Sequence, residues 1–404
     1  MAVLNILMEG KDVKSESGIT RRRFVALSFL GLMMTAVSAT VMGPAFPSIR
    51  DELGVPLGAL GFLASAWNMG YLLTILGGIL SDRYGEPLIL CMGFILGGTA
   101  AGLAAVAPNY QALALSFLLA GIGAAFGEAS MNPLVSRLYP HKSGFALNIL
   151  HIFWSIGAFI GPALAGLLII KYGNWRLPYW AICLAFMPLI VTSLTSVRRM
   201  SPERGGLKLK LGDVAEVGGL KTLGALILLG FLYLSVELGV NAWLPSFLLL
   251  ERGFPMALAS LSISLFWAFM AVGRLILGGF ADRIGYGRLI LTASVLGSTS
   301  ILAGILEREI HLVMGLWALS GLMFGPIFPT ILAWANRLFP SRRGLASGSI
   351  FSIGILGGVF SPWFIGVMAE LYTLKIFALY VSFSGFLIGL STLFLGSTPI
   401  KSSV

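Results

Sequence analysis

The sequence predicts an all-α integral membrane protein with twelve transmembrane helices in two pseudo-symmetric six-helix bundles. Three observations carry that prediction. Of 404 residues, 57% are hydrophobic and only 11% are charged, less than half the ~25% charge of an ordinary soluble domain. Runs long enough for the ~20 apolar residues of a bilayer-spanning helix recur along the whole chain. Finally, the two halves of the chain repeat each other without gaps at one common offset.

The elements follow in order. Residues 1–23 form a polar tail, expected on the cytoplasmic side, that closes with Arg21-Arg22-Arg23. Phe24 to Ile49 then runs without a charge. That is too long for the apolar core of a cleavable leader, so the first span is expected to be retained. Further spans read at 57–80, 88–107, 111–135, 144–170 and 177–197, completing an N-terminal bundle over 24–197. The longest polar stretch, 198–220, is the expected cytoplasmic linker. A C-terminal bundle over 221–396 follows, with spans at 221–250, 257–280, 288–306, 312–335, 344–369 and 374–396, and then a tail over 397–404. Most of these runs end at charges, Pro or Gly. Each is expected to be a helix, because backbone exposed to lipid must satisfy its own hydrogen bonds. The runs are also too long and too evenly apolar for the strands of a barrel.

The net charge of +10 would, in a soluble chain, point to nucleic acid or acidic partners. Its distribution points elsewhere. With a cytoplasmic N-terminus, only Arg50, Lys171, Arg176, Arg252, Arg308 and Lys375 fall outside, and Arg274 falls within a span. The other twenty of the 27 Lys and Arg residues are cytoplasmic, which is the bias that orients membrane helices. Both termini are then cytoplasmic, and the expected surroundings are a lipid bilayer, not nucleic acid. Cys91 and Cys183 lie inside apolar runs, so neither a disulfide framework nor a metal site is expected.

The internal repeat has an offset of 200 residues. Gly78, Asp82, Arg83 and Gly85 match Gly278, Asp282, Arg283 and Gly285. Arg137, Leu138, Pro140, Gly144 and Ala146 match Arg337, Leu338, Pro340, Gly344 and Ala346. The register continues through Gly157/Gly357, Pro162/Pro362 and Gly166/Gly366. Shared apolar composition gives scattered matches, not Asp-Arg-x-Gly and Arg-Leu-x-Pro at a single offset.

Two six-span halves in parallel repeat, with Asp-Arg-x-Gly in the 2–3 and 8–9 loops, resemble the major facilitator superfamily. The resemblance implies halves that rock around a central site to expose it alternately to either side. In these loops Asp82 and Asp282 can accept from helix N-termini or pair with Arg137 and Arg337, with Arg83 and Arg283 beside them, as conformational latches. After Gly85 this chain has Glu86-Pro87 in place of the usual basic residues. Within the superfamily, Glu128-Ala-Ser-Met-Asn132-Pro133 and Asn148-Ile-Leu-His151-Ile-Phe-Trp154 are similar to the fucose:proton symporter family. That similarity implies Glu128 as the proton-linked carboxylate and Asn148 as a substrate or coupling contact. Thr40 stands where that family places an aspartate before a span 1 proline, here Pro44.

The residues support a parallel reading of their own. An ionisable group inside a span costs a few kcal/mol, so it normally faces a cavity or a partner. Glu128, His151, Glu237 and Arg274 qualify. A carboxyl that passes between low dielectric and water can bind and release a proton, which makes Glu128 and Glu237 the candidate coupling sites. Glu128 with Asn132, Asn148 with His151 and Ser155, and Glu237 with Asn241 each form a polar stripe at helical spacing. Three converging stripes suit a polyhydroxylated ligand, with Asn68 adding an amide and Trp154 or Trp267 an apolar ring face. Two readings stay open for Glu237, coupling or a structural pair across spans 7 and 8. Arg274, near the cytoplasmic end of span 8, is expected in the latch, with anion binding as the second reading. Gly121, Gly157, Gly161, Gly354, Gly357 and Gly358 read as close-packing positions.

The expected activity is secondary active transport of a small polar solute, a sugar or polyol, by proton symport. Proton-coupled efflux of drugs or metabolites is the alternative, and a non-transporting nutrient sensor the remote one. The expected driver is an ion gradient, of protons or else sodium, with no cofactor and no metal, acting in a monomer in the cell's inner membrane. An enzyme would need a nucleophile with a base, or metal ligands. The chain has no HExxH pattern and no P-loop GxxxxGK[ST], which also argues against an ATP-driven pump.

Overall fold

The computed structural model describes residues 18–139, 143–197, 220–339 and 343–396. Most of the N-terminal tail, nearly all of the linker and the C-terminal tail therefore lie outside the described residues. Twelve helices are long and apolar enough to cross a membrane: α1 (Arg21–Leu53), α2 (Leu57–Tyr84), α3 (Glu86–Ala105), α4 (Tyr110–Leu138), α5 (Ile149–Tyr172), α6 (Arg176–Val197), α7 (Lys221–Glu251), α8 (Met256–Ile284), α9 (Tyr286–Leu306), α10 (Ile310–Leu338), α11 (Ala346–Leu371) and α12 (Lys375–Leu393). Among the described residues there is no strand. The chain is thus an all-helical, multi-pass membrane protein.

The repeat read from sequence reappears in packing. In the N-terminal half α1 packs on α5 and α6, α3 on α4 and α6, and α2 on α4. The C-terminal half repeats these pairs six helices on, as α7 with α11 and α12, α9 with α10 and α12, and α8 with α10. Small residues make the closest approaches possible. At Gly121 a Cβ would run into the Trp67 carbonyl, and at its repeat partner Gly321 into the Phe266 carbonyl, so neither position has room for a side chain.

Sequence places Asp-Arg-x-Gly in loops, but α2 and α8 run through both pairs and end one residue before the glycine. Asp82, Arg83, Asp282 and Arg283 therefore form the last helical turns. The chain reverses at Gly85 and Gly285, with φ of 91° and 92°, a left-handed region that favours glycine.

The described helices divide into two compact units, α1–α6 and α7–α12, except that residues 42–65 group with the second. The first unit takes the chain to Val41 and resumes at Ala66, continuing through α6. The second unit joins Met42–Ser65 to α7–α12. The change of unit at Val41 coincides with a bend in α1. Packing explains why the hairpin belongs to the second unit. Phe46 meets Trp243 edge-on at 5.7 Å, and Trp243 Nε1 donates to the Pro362 carbonyl at 2.9 Å. Ser65 Oγ donates to the Val359 carbonyl at 2.6 Å, and Gly58 and Gly61 lie against Val367 and Pro362. The Leu57 backbone N–H, at the start of α2, donates to Glu370 Oε2 at 2.6 Å, which supplies an acceptor to an otherwise unpaired helix N-terminus.

Candidate functional site

The two candidate coupling carboxylates, Glu128 and Glu237, fall one in each unit and have different partners. In the first unit Glu128 lies half-buried on α4, and its Oε2 accepts from the Tyr71 hydroxyl on α2. The Tyr71 ring stacks on Trp67 at 5.3 Å and 13°, which fixes the phenol from behind. Asn132, one turn on, donates through Nδ2 to the Glu128 carbonyl at 3.3 Å. Asn68 is buried on α2, at 4% exposure, three residues before Tyr71. Among the described residues Glu128 makes no ion pair.

On α5, His151 is exposed and Trp154 half-buried, with Ser155 Oγ donating to the His151 carbonyl at 3.4 Å. The Asn148 side chain lies outside the described residues. The structure therefore joins Glu128 to α2 through a tyrosine that sequence reading did not single out. The signal was present in Trp67-Asn68-x-x-Tyr71, a polar and aromatic patch within one turn of an otherwise apolar span.

In the second unit Glu237 faces a cation. Arg274 Nη2 donates to Glu237 Oε1 at 3.0 Å, an ion pair between α7 and α8. Arg274, expected in the latch, has Glu237 as its ion-pair partner in this structure. Seven residues before the last turn of α8, Arg274 lies on the face turned to Glu237, an enclosed carboxylate that would be strongly destabilised without its counter-charge. The Tyr233 phenol lies beside both groups. One turn further, Trp267 Nε1 donates to Asn241 Oδ1 at 3.2 Å, both residues being buried at 3% and 5% exposure. Tyr233, Glu237 and Asn241 thus form one face of α7, and Trp267, Met270 and Arg274 the facing stripe of α8. The polar groups expected to converge on a ligand here engage one another.

The ends of the bundles that carry the Asp-Arg-x-Gly turns also differ. Glu86 Oε2 lies 3.4 Å from Arg137 Nη2, with side chains 10% and 17% exposed. The departure after Gly85 therefore supplies a partner to Arg137, and Asp82 is half-buried. Arg83 extends over the Tyr84 ring. In the second unit the residue in Glu86's register is Tyr286, whose hydroxyl donates to Asp282 Oδ1 at 2.6 Å. The Arg337 guanidinium stands 5.9 Å from the Tyr286 ring centre, so the tyrosine bridges the expected pair. Arg283 is exposed.

Known proteins place this architecture. Residues 28–362 match the sequence model of the Major Facilitator Superfamily. The 3-(3-hydroxy-phenyl)propionate transporter of Escherichia coli K12 is 27% identical over 90% of this chain and 91% of its own length. The fosmidomycin resistance protein of the same organism is 21% identical over 92% and 91%. The crystal structure of a single-site mutant of the nucleoside transporter NupG superposes with a TM-score of 0.79 at 14% identity, covering 93% of this chain and 99% of that one, which speaks to the fold.

Proposed function

The chain belongs to the Major Facilitator Superfamily, a family of small-solute transporters, and from that premise we propose that it is a proton-coupled symporter of a small, hydroxylated polar solute. Both termini are cytoplasmic in this reading, the protein resides in the cell's inner membrane, and sugars and polyols are the first candidate cargoes. One observation carries the assignment of the coupling site: Glu128 is partnered by a neutral phenol, whereas Glu237 is neutralised by Arg274. A carboxylate beside a guanidinium can remain charged for as long as that pair holds. One beside a tyrosine hydroxyl has no compensating charge, so neutrality within the membrane requires a proton. Glu128 is therefore the group that loads and unloads, and Asn132 and Asn68 lie on the same faces of α4 and α2 to meet a solute.

The test uses purified protein in liposomes containing a pH-sensitive dye, challenged with sugars, polyols and hydroxy acids. The wild type moves protons when its solute is supplied, and Glu128→Gln abolishes that flux while solute counterflow persists. Undiminished solute-driven proton flux in Glu128→Gln overturns the role. A proton-coupled efflux antiporter is the second reading, favoured by the relative named for fosmidomycin resistance. It predicts that solute inside the vesicle, moving outward, drives protons in the opposite direction.

A further inference from the structure

The symport reading leaves Arg274 without a task. Its side chain is 28% exposed while that of its partner Glu237 is 10% exposed, so the carboxylate is enclosed and the guanidinium keeps an open flank. Glu237 engages Nη2, and the Met270 sulfur lies 3.4 Å from the same nitrogen. The Nε–H of Arg274 is buried with no acceptor among the described residues. A guanidinium presents five donors in a planar fork that matches a carboxylate two-pronged. Arg274 is therefore a partly exposed cation, engaged by Glu237 and Tyr233, with one buried donor unused.

An aromatic row begins at the same place. The Tyr233 ring, beside Arg274, stacks on Phe328 at 5.3 Å and 23°, and Phe328 meets Phe351 edge-on at 6.0 Å. Phe328 and Phe351 are half-buried and offer a ring face to a flat apolar group.

We propose that Arg274 is a carboxylate-recognition site: the transported solute bears a carboxylate that displaces Glu237 from the guanidinium, with its flat apolar part against Phe328 and Phe351. The inference rests on the transporter reading and narrows its cargo to small organic acids. Charge balance follows from the geometry. With the solute seated, Glu237 would lie beside a second carboxylate, so it takes a proton from solution as it leaves Arg274, and the site stays neutral before and after. The titratable groups set against Glu237 are Arg274 from α8 and Tyr233 on its own helix.

The test is thermal stabilisation of the purified full chain by 3-phenylpropionate and by 3-phenylpropionamide, an uncharged match in shape, from pH 5.5 to 8. The acid stabilises the wild type and the amide does not, and acid affinity weakens by about tenfold per pH unit while one linked proton is required. Glu237→Gln leaves Arg274 free of a competing charge, so it binds the acid with little pH dependence and at least about tenfold more tightly at pH 8. Arg274→Gln loses the preference for acid over amide. If Arg274→Gln does not fold, the wild-type and Glu237→Gln comparisons decide alone. Equal binding of acid and amide, binding of neither, or a Glu237→Gln pH profile like that of the wild type overturns the proposal. Loss of acid preference with Glu128-dependent proton flux intact removes this site only. Acid binding without any solute-driven flux removes the symport reading instead.

Discussion

Glu128 and Glu237 each stand within a membrane-spanning helix of their own unit, and their surroundings assign them different work. Glu128 has a hydroxyl donor from Tyr71 and its own helix's Asn132 nearby. Glu237 has a guanidinium at 3.0 Å and Tyr233 alongside. Both are carboxylates in apolar helices, and sequence reading treats them as equals. The chemical type of the partner separates a group able to carry a proton from one that first holds a cation in place. An intramembrane carboxylate is thus best judged by whether its partner carries charge.

The largest effect that would break this contrast is functional. Glu128→Gln should lower solute-driven proton flux by about 100-fold or more, as expected for loss of a proton-transfer group, while counterflow stays within a few-fold of wild type. Equal losses in flux and counterflow would make Glu128 structural. Next comes stability. Arg274→Gln leaves Glu237 buried without its partner and should cost about 3–5 kcal/mol in thermal or denaturant unfolding, whereas Tyr71→Phe, which removes one hydroxyl donor, should cost about 1–2 kcal/mol. The double variant Arg274→Gln/Glu237→Gln should recover much of the loss. A full additive loss would show that the two groups do not act as a pair.

The turns at Gly85 and Gly285 sharpen the same contrast on a smaller scale. Glu86→Gln breaks a largely buried ion pair with Arg137 and should destabilise by about 1–3 kcal/mol. Tyr286→Phe removes a hydrogen bond to the exposed Asp282 and should cost about 1 kcal/mol or less. Reversal of that order would show that the tyrosine bridge to Arg337, not the Glu86 pair, carries the end of the bundle.

The smallest effect distinguishes two helix caps in the repeat register. Asn109 accepts from the Ala112 N–H at 2.9 Å at the start of α4. Glu309 accepts from the His311 and Leu312 N–H groups at 3.0 and 2.6 Å at the start of α10. The His311 N–H, then the His311 ring and the Leu312 N–H, hold the Glu309 carboxyl below its ordinary value. A lowered folded-state value means that the charged cap contributes fully above the ordinary Glu range, near pH ~4.3, and is lost as pH falls through the lowered value. The asparagine cap has no charge to lose. Hydrogen exchange at the Leu312 amide should accelerate on such acidification relative to the Ala112 amide, after correction for intrinsic rates. Parallel behaviour of the two amides would remove the distinction.

The spans, their order and the repeat were legible because they rest on local properties, namely runs of apolar residues and turn residues at a fixed offset. The ends of α2 and α8 were less so, since Asp82-Arg83 and Asp282-Arg283 look like loop residues and become helical only because Gly85 and Gly285 take the turn. The pairing of Arg137 with Glu86 was obscured by the loop signature, which points to Asp82. Tyr71 escaped notice because a tyrosine gains functional weight only from what it touches, and Glu128 lies 57 residues away. Glu237 was read as either coupling or structural, and the distance to Arg274 settles which partner it has. Membership of residues 42–65 in the second unit was not legible, because no local pattern records a contact made with α7 and α11.

That hairpin also sets an order of events during synthesis. The hydrogen bond from Leu57 to Glu370 closes a loop of 313 residues, and Gly58, Gly61 and Ser65 reach the bilayer long before α11 exists to cover them. Contacts of such sequence separation form late and slowly, and multi-span chains expose unmatched surfaces in the interval. The second unit therefore cannot be finished as it is made from α7 onward. It must recruit a helical hairpin made long before, so residues 42–65 wait for α11, and nascent chains stalled before α11 carry an open small-residue face available to neighbouring helices.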